Sequence, residues 1–146
     1  MPALQKPYEN FEKPGLVVSY QMAAVKIYKG SLVGVNAAGF LVQMAHGTAG
    51  LRFVGVANET ADNSAGAAGD LSLNVNKTGT FVFKPVAGYT PAQGDLGKDI
   101  YANTDWEVQV SATGLTNAYK VGSVTRLETT STGSAGVRIR IGNYTL

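Results

Sequence analysis

The sequence predicts an all-β protein, either a small antiparallel barrel or a jelly-roll-like sandwich, with an extended N-terminal arm. Apolar and polar residues alternate with a period of two in many short segments, as the two faces of a half-buried strand require. Glycine-rich turn signals separate these segments at spacings of about ten residues, which is typical of barrels and sandwiches. Helical periodicity is always interrupted by glycine, so at most a single helical turn is expected, at 91–95.

Residues 1–15 form the predicted arm. Its three prolines fix the backbone and favour extended geometry in the residues before them. No apolar face is present to pack a helix, and the large aromatic residues of this stretch are Tyr8 and Phe11, followed by Lys13. Two interpretations stay open. The segment is either a frayed terminus or an arm that lies along a partner and inserts the two aromatic side chains into its pockets.

Residues 16–146 are expected to form a single β domain. Alternation is clearest at 71–75, at 106–110 and at 137–141, and it predicts that the apolar residues of each segment, Trp106 among them, face the core. The other predicted strands are 16–20, 23–28, 31–35, 39–44, 51–57, 80–84, 98–102 and 119–127. Two small-residue loops, Ala61–Asp70 and Thr129–Gly136, are expected to bury little and to be mobile tips.

Composition excludes several classes of protein. The chain has 146 residues, a size that fits one domain, and only 15% are charged, against about 25% in an average soluble protein. A net charge of +2 is too weak an excess to indicate nucleic-acid binding. There is no cysteine for a disulfide or a thiolate metal site. Apolar runs are too short to span a bilayer and no signal pattern opens the chain, so we expect synthesis in the cytoplasm and no membrane partner.

Candidate catalytic groups are few. His46 is the sole histidine and lies in a predicted turn, which disfavours a triad or a transition-metal site. Asp95, Asp99 and Asp105 cluster in sequence, and paired carboxylates can hydrolyse glycosides. Aspartate beside glycine in a turn is, however, usually structural. We therefore expect no enzyme, no metal and no cofactor, and keep a hydrolase built on the aspartates as a rival hypothesis.

Arg138 and Arg140 share the polar face of the predicted strand at 137–141. One interpretation is an ordinary solvated face. The other is a small basic strip, which Arg126 and Lys120 extend and which meets an acidic partner and steers association with it.

Seven turn and core motifs follow one another along the chain: Ser31-Leu32-Val33, Phe53-Val54-Gly55-Val56-Ala57, Gly69-Asp70-Leu71-Ser72-Leu73, Gly79-Thr80-Phe81, Gly94-Asp95-Leu96, Ile100-Tyr101 and Lys120-Val121-Gly122. In this order the chain resembles the capsid decoration, or cement, proteins of tailed bacteriophages. The similarity covers roughly residues 16–142 and leaves the arm outside.

The resemblance implies a structural virion protein that binds the outside of a mature icosahedral capsid. It would act as a homo-oligomer, a dimer or a trimer, and bridge neighbouring copies of the major capsid protein, with no nucleic-acid partner. On this hypothesis the interface residues, toward the capsid or a sister subunit, are Tyr8, Phe11, Lys13, Arg138 and Arg140.

A carbohydrate-binding β module of a virion, used for host recognition, is the alternative function. Such a module needs exposed aromatic rings on a concave face, and the plausible candidates are Tyr89, Tyr101 and Trp106. Because Trp106 opens an alternating apolar strand, we expect it in the core instead.

Overall fold

The computed structural model describes residues 15–130 and 132–142, and this part of the chain is all-β, as predicted. Its twelve strands are β1 (Val17–Gln21), β2 (Lys26–Ile27), β3 (Leu32–Val35), β4 (Leu41–Gln43), β5 (Arg52–Ala57), β6 (Ala61–Asp62), β7 (Ser72–Asn76), β8 (Thr78–Pro85), β9 (Asp99–Ala102), β10 (Glu107–Gln109), β11 (Lys120–Thr129) and β12 (Ala135–Gly142). A single 3-10 turn at Gln93–Asp95 confirms the expected helical turn. Of the predicted arm, only Gly15 lies inside the described residues.

The strands form two main assemblies. The first half of the chain makes a five-stranded antiparallel sheet in the order β1-β7-β5-β3-β4, and the second half makes a closed barrel in the order β10-β8-β12-β11-β9. Strands β2 and β6 pair as a short ribbon. One pair departs from the predicted antiparallel arrangement, because β10 runs parallel to β8, with Glu107 opposite Lys84.

One hydrophobic core joins the sheet to the barrel. Leu32, Phe53 and Val56 of the sheet belong to the same buried cluster as Ile139 and Ile141 of the barrel. Burial of each such side chain contributes roughly 1.5–3 kcal/mol before the loss of conformational entropy is counted. The alternation that predicted β12 is therefore confirmed, since Val137, Ile139 and Ile141 are all fully buried.

A second core lies on the other face of the sheet. Neighbouring residues of β3 point to opposite sides, so Leu32 belongs to the first core and Val33 to the second, together with Leu73 and Val75. The sheet also curls toward closure, because an isolated bridge between Met22 and Leu41 joins its two outer strands just beyond β1. Both faces of this sheet are thus buried.

Two glycines allow strands to bulge and to approach one another closely. Gly55 and Gly122 lie where the strand register shifts, with φ of 152° and 158°. A Cβ atom on Gly55 would collide with the carbonyl of Asn76, and one on Gly122 with the carbonyl of Arg140. The Val-Gly-Val and Val-Gly motifs of the sequence thus mark positions that need the absence of a side chain.

The loop 61–70 is anchored rather than an open tip. It contains β6, and the Asn63 side chain is buried, with 2% exposure. The Asn63 amide nitrogen donates to the carbonyls of Met22, Ala23 and Ala67 at 3.4, 3.1 and 2.9 Å. The prediction that this loop buries little is confirmed, since seven of its ten residues are exposed. Asn63 is the buried exception, and its amide ties the loop to the segment that follows β1.

The alternation predicted that Leu71 and Trp106 face the core, and this prediction is wrong, because the two side chains are 43% and 51% exposed. Each residue immediately precedes the first residue of its strand, Ser72 in β7 and Glu107 in β10. The alternation of faces applies only within the pleated segment, so the preceding side chain is free to point outward.

Candidate functional site

A cleft of about 610 Å³ lies where the two assemblies meet. Four segments enclose it: the turn after β2, the centre of β8, the turn before β10 and the connection between β11 and β12. We call it the aromatic cleft, and its lining residues are Tyr28, Lys29, Gly30, Ser31, Val82, Phe83, Lys84, Asp105, Trp106, Thr130, Thr132 and Ser134. Its floor is part of the core, since Phe83 is 5% exposed, whereas its rim is polar and aromatic.

Two exposed aromatic side chains stand in this cleft. Trp106 is 51% and Tyr28 is 59% exposed. A lysine lies over each ring: the Lys84 Nζ atom is 4.7 Å from the centroid of the Trp106 ring, and the Lys26 Nζ atom is 4.8 Å from that of Tyr28. Cation–π contacts of this kind are worth about 0.5–1 kcal/mol at exposed positions. The lysines therefore restrict both rings without burying them.

Local hydrogen bonds hold Trp106 in place. The Thr104 hydroxyl accepts from the backbone N–H of Trp106 at 3.4 Å and of Glu107 at 3.1 Å. Next to Trp106, the Asp105 carbonyl accepts from the N–H of Leu32 at 2.7 Å. The parallel pairing of β10 with β8 then sets Trp106 beside Lys84. Both the turn and the strand order thus determine where the ring lies.

Tyr28 is positioned by a tight turn. The N–H of Ser31 donates to the Tyr28 carbonyl at 3.2 Å, and Gly30 adopts a φ of 91°, which other residues rarely do. The sequence interpretation did not select Tyr28, because it placed this residue inside a strand at 23–28. Strand β2 ends at Ile27 instead. The usable signal was an aromatic residue immediately before the Lys29-Gly30 turn.

Asp105 supplies a half-buried carboxylate to the cleft. Burial raises the pKa of Asp105, and the negative charge of Glu107 adds to this, while a hydrogen bond from the Ser31 hydroxyl opposes the rise. Ser31 itself is buried, with 6% exposure. The carboxylate has thus lost much of its contact with water, and the described protein groups compensate this loss only in part.

Hydroxyl groups form the opposite rim. The Thr130 hydroxyl lies 3.0 Å from that of Thr132 and 2.8 Å from that of Ser134. Hydroxyls donate and accept, so this cluster can exchange its mutual bonds for bonds to a ligand. This cluster lies in the loop Thr129–Gly136, which the sequence predicted as a mobile tip.

Two of the five predicted interface residues, Arg138 and Arg140, lie within the described part of the chain. Tyr8, Phe11 and Lys13 lie outside the described residues, so their role stays a prediction. Arg138 and Arg140 lie in β12, where Arg138 donates to the Thr80 hydroxyl at 3.0 Å and to the Glu128 carboxylate at 3.1 Å. Arg140 is exposed. The structure thus gives Arg138 partners within the domain.

Arg126 joins the same strip, as the sequence suggested. It lies directly opposite Arg138 in the β11–β12 pair, and its Nε atom is 3.8 Å from the carboxylate of Glu128. Lys120 does not extend the strip, because the pairing of β11 with β12 begins only at Ser123. It lies opposite Tyr101 of β9 and forms an ion pair with Asp99 at 3.0 Å. Exposed pairs such as these contribute little to stability.

His46 has a structural role in the predicted turn. Its Nδ1 atom accepts from the N–H of Thr116 at 3.1 Å, and its carbonyl accepts from the side chain of Asn117 at 2.8 Å. These bonds tie the turn after β4 to the loop before β11. Within residues 15–130 and 132–142, no group of three or more His, Cys, Asp or Glu side chains is placed to hold a metal ion.

The other two aspartates of the sequence cluster have local partners. Asp95 is buried and accepts from the backbone N–H of Ala92 and the hydroxyl of Tyr89, both at 3.0 Å. Asp99 is paired with Lys120. Tyr89 and Tyr101, the other aromatic candidates for a sugar site, are half-buried. Of the three aromatic residues considered, the structure exposes Trp106.

A second cleft, of about 520 Å³, lies on another side of the junction and is basic. Tyr20, Arg52, Lys77, Tyr119 and Lys120 contribute to its lining. The Lys77 Nζ atom donates to the Tyr20 hydroxyl at 2.8 Å, and the Lys77 backbone N–H donates to the Leu16 carbonyl. This cleft therefore lies beside the point where the N-terminal segment joins the domain.

Among the residues that the structure describes, no helix is long and apolar enough to cross a membrane. No protein-family model, no curated protein and no solved structure matches this chain.

Proposed function

We propose that the chain is a structural virion protein that binds the outer surface of a tailed-phage capsid and cements neighbouring major capsid subunits. The motifs that resemble decoration proteins motivate this proposal. The structural observation that carries it is an open apolar edge at the point where residues 1–14 join the domain. On this proposal the protein works through contacts and not through catalysis.

This edge is strand β1. It pairs with β7 along Val17–Gln21, and within the described residues its other side has no strand beside that stretch. Leu16 and Val17, at its start, are 69% and 43% exposed. Unpaired strand edges and exposed apolar side chains are surfaces to which other chains add. A neighbouring subunit that covered this edge would bury both side chains.

The arm would extend the same contact. Tyr8 and Phe11 are its proposed anchors, since buried aromatic residues often dominate interface energies. Lys13 would pair with an acidic group of the capsid or of a sister copy. Arg138 and Arg140 would present positive charge to an acidic surface and guide association. A closed dimer or trimer would repeat these contacts, and multivalency would turn modest single affinities into firm attachment.

Deletion of residues 2–14 tests the proposal. The truncated chain should keep the melting temperature of the full chain, because both cores lie within the described residues. It should no longer co-sediment with purified capsid shells of the phage that encodes it. A full-length double variant, Tyr8→Ala with Phe11→Ala, should lose at least about tenfold in affinity if the rings are hot spots.

Leu96→Ala is the matched control, because Leu96 is 37% exposed but lies in the barrel loop away from β1. It should bind shells like the parent chain. The proposal fails if the folded, truncated protein binds shells as tightly as the full chain does.

A further inference from the structure

We propose that the aromatic cleft is a saccharide-binding site, with Trp106 and Tyr28 as stacking platforms and Asp105 as the principal hydrogen-bond acceptor. This inference goes beyond capsid attachment and does not rest on it. It gives the protein a surface directed at a glycan.

The two rings are preorganised for stacking. Sugar rings carry faces of C–H groups that pack against aromatic surfaces. Half or more of Trp106 and Tyr28 stays exposed while Lys84 and Lys26 lie over the rings. A ligand that packs on these rings would therefore bury apolar area and lose little side-chain freedom in doing so.

The polar groups of the cleft match the hydroxyls of a sugar. The Asp105 carboxylate is partly desolvated, and a hydrogen bond to a charged acceptor in such surroundings is stronger than one between neutral groups. Thr130, Thr132 and Ser134 offer further donors and acceptors across the cleft. The volume of about 610 Å³ lies within the range of about 300–1,000 Å³ usual for small-ligand sites.

Other classes of ligand fit less well. A purely apolar ligand would remove water from the Asp105 carboxylate and the rim hydroxyls without offering them a hydrogen bond, at a cost of about 1–3 kcal/mol for each group left unsatisfied. A strongly acidic ligand would meet Lys29 and Lys84 but also the charge of Asp105. A saccharide combines an apolar face with several hydroxyls, so it satisfies both halves of the lining at once.

Tryptophan fluorescence reads this site directly, because Trp106 is the one tryptophan of the chain. The full-length protein would be titrated with the uncharged maltotriose, chitotriose and cellotriose, each to about 10 mM, well above the roughly 1 mM Kd of a weak site. At least one trisaccharide should shift the emission of Trp106 in a saturable way. Calorimetry would give the same Kd without relying on the fluorophore.

Variants locate the binding. Tyr28→Ala and Asp105→Asn should each weaken the binding of the active trisaccharide about tenfold, as loss of a hydrogen-bonding or packing partner does. Leu71→Ala, at an exposed apolar residue outside the cleft, should leave it unchanged. Melting curves would show that each variant is folded.

The outcomes separate this proposal from the preceding one. The same variants should co-sediment with capsid shells as the parent chain does, whether or not deletion of the arm abolishes that binding. The saccharide site is refuted if no trisaccharide alters fluorescence or evolves heat, or if Tyr28→Ala and Asp105→Asn bind like the parent. It is equally refuted if these two variants lose the shells, because the cleft would then be a protein contact.

Discussion

Asp95 precedes the short strand β9 and Asp105 follows it, and their surroundings shift the two carboxyl pKa values in opposite directions. The Asp95 carboxylate is buried but accepts from Ala92, Tyr89 and Lys98. These partners, led by the backbone N–H of Ala92, hold the pKa of Asp95 below its usual value despite the burial. Burial raises the pKa of Asp105 instead, and the hydroxyl of Ser31 compensates it only in part.

The comparison separates a structural carboxylate from a candidate binding group of the same residue type. Where protein donors already occupy the oxygens, ionisation stabilises the fold. Where desolvation dominates, the carboxylate keeps acceptor capacity that a ligand can use. Sequence clustering could not make this distinction, because it depends on the donors that surround each carboxylate. The Asp95 oxygens accept from groups of the loop that precedes β9.

The largest effect should come from Asp95→Ala. It removes the acceptor for the Ala92 N–H and the Tyr89 hydroxyl, while the Lys98 partner is 58% exposed and adds little. We expect the free energy of unfolding to fall by about 1–3 kcal/mol, because two part-buried hydrogen bonds to a charged acceptor are lost. Urea denaturation measures this loss.

Tyr89→Phe is the graded control for Asp95→Ala. It removes one donor and keeps the ring that packs on the main core, so we expect a loss of about 1 kcal/mol. The structural role of Asp95 is contradicted if both variants unfold at the denaturant concentration of the parent chain.

Lowering the pH should remove the difference in melting temperature between Asp95→Asn and the parent chain. The pKa of Asp95 is lower in the folded state than its usual 3.8, so ionisation stabilises the fold at pH values above 3.8. That contribution disappears as the pH falls through the lower, folded-state pKa. Melting temperatures of the two proteins should therefore converge in strong acid and separate toward neutral pH. A gap that stays constant from neutral to acidic pH would exclude ionisation as its cause.

Strand positions were most predictable where burial alternates along the strand, as in β7 and β12. Strand β12 follows this alternation from Val137 to Ile141, with Val137, Ile139 and Ile141 buried and Arg138 and Arg140 between them. The same reasoning failed at strand ends. It placed Trp106 in the core, although the pleat begins one residue later, at Glu107.

The aromatic cleft was beyond sequence reasoning for a related reason. Tyr28 and Trp106 are distant in the chain, and only the parallel pairing of β10 with β8 and the contact of Asp105 with Leu32 bring their turns together. Such pairings depend on tertiary packing, which local alternation does not encode. Asn63 was missed likewise, because two of its three acceptor carbonyls, those of Met22 and Ala23, are distant in the chain and come close only in the folded protein.

The smallest effect on stability should come from Asp105→Asn, which completes the contrast with Asp95. The folded-state pKa of Asp105 is raised above 3.8, so its ionisation costs stability as the pH rises through that raised pKa. Glu107 and Lys84 are the charged neighbours on β10 and β8, and Lys29 lies across the cleft. Removing the charge should leave the unfolding free energy at neutral pH within about 0.5 kcal/mol of the parent, the range of ordinary surface changes. Any change should be an increase in the free energy of unfolding at neutral pH, and this increase should disappear at acidic pH. Urea denaturation at neutral and acidic pH measures both, and a loss comparable to that of Asp95→Ala would show that Asp105 is a structural carboxylate after all.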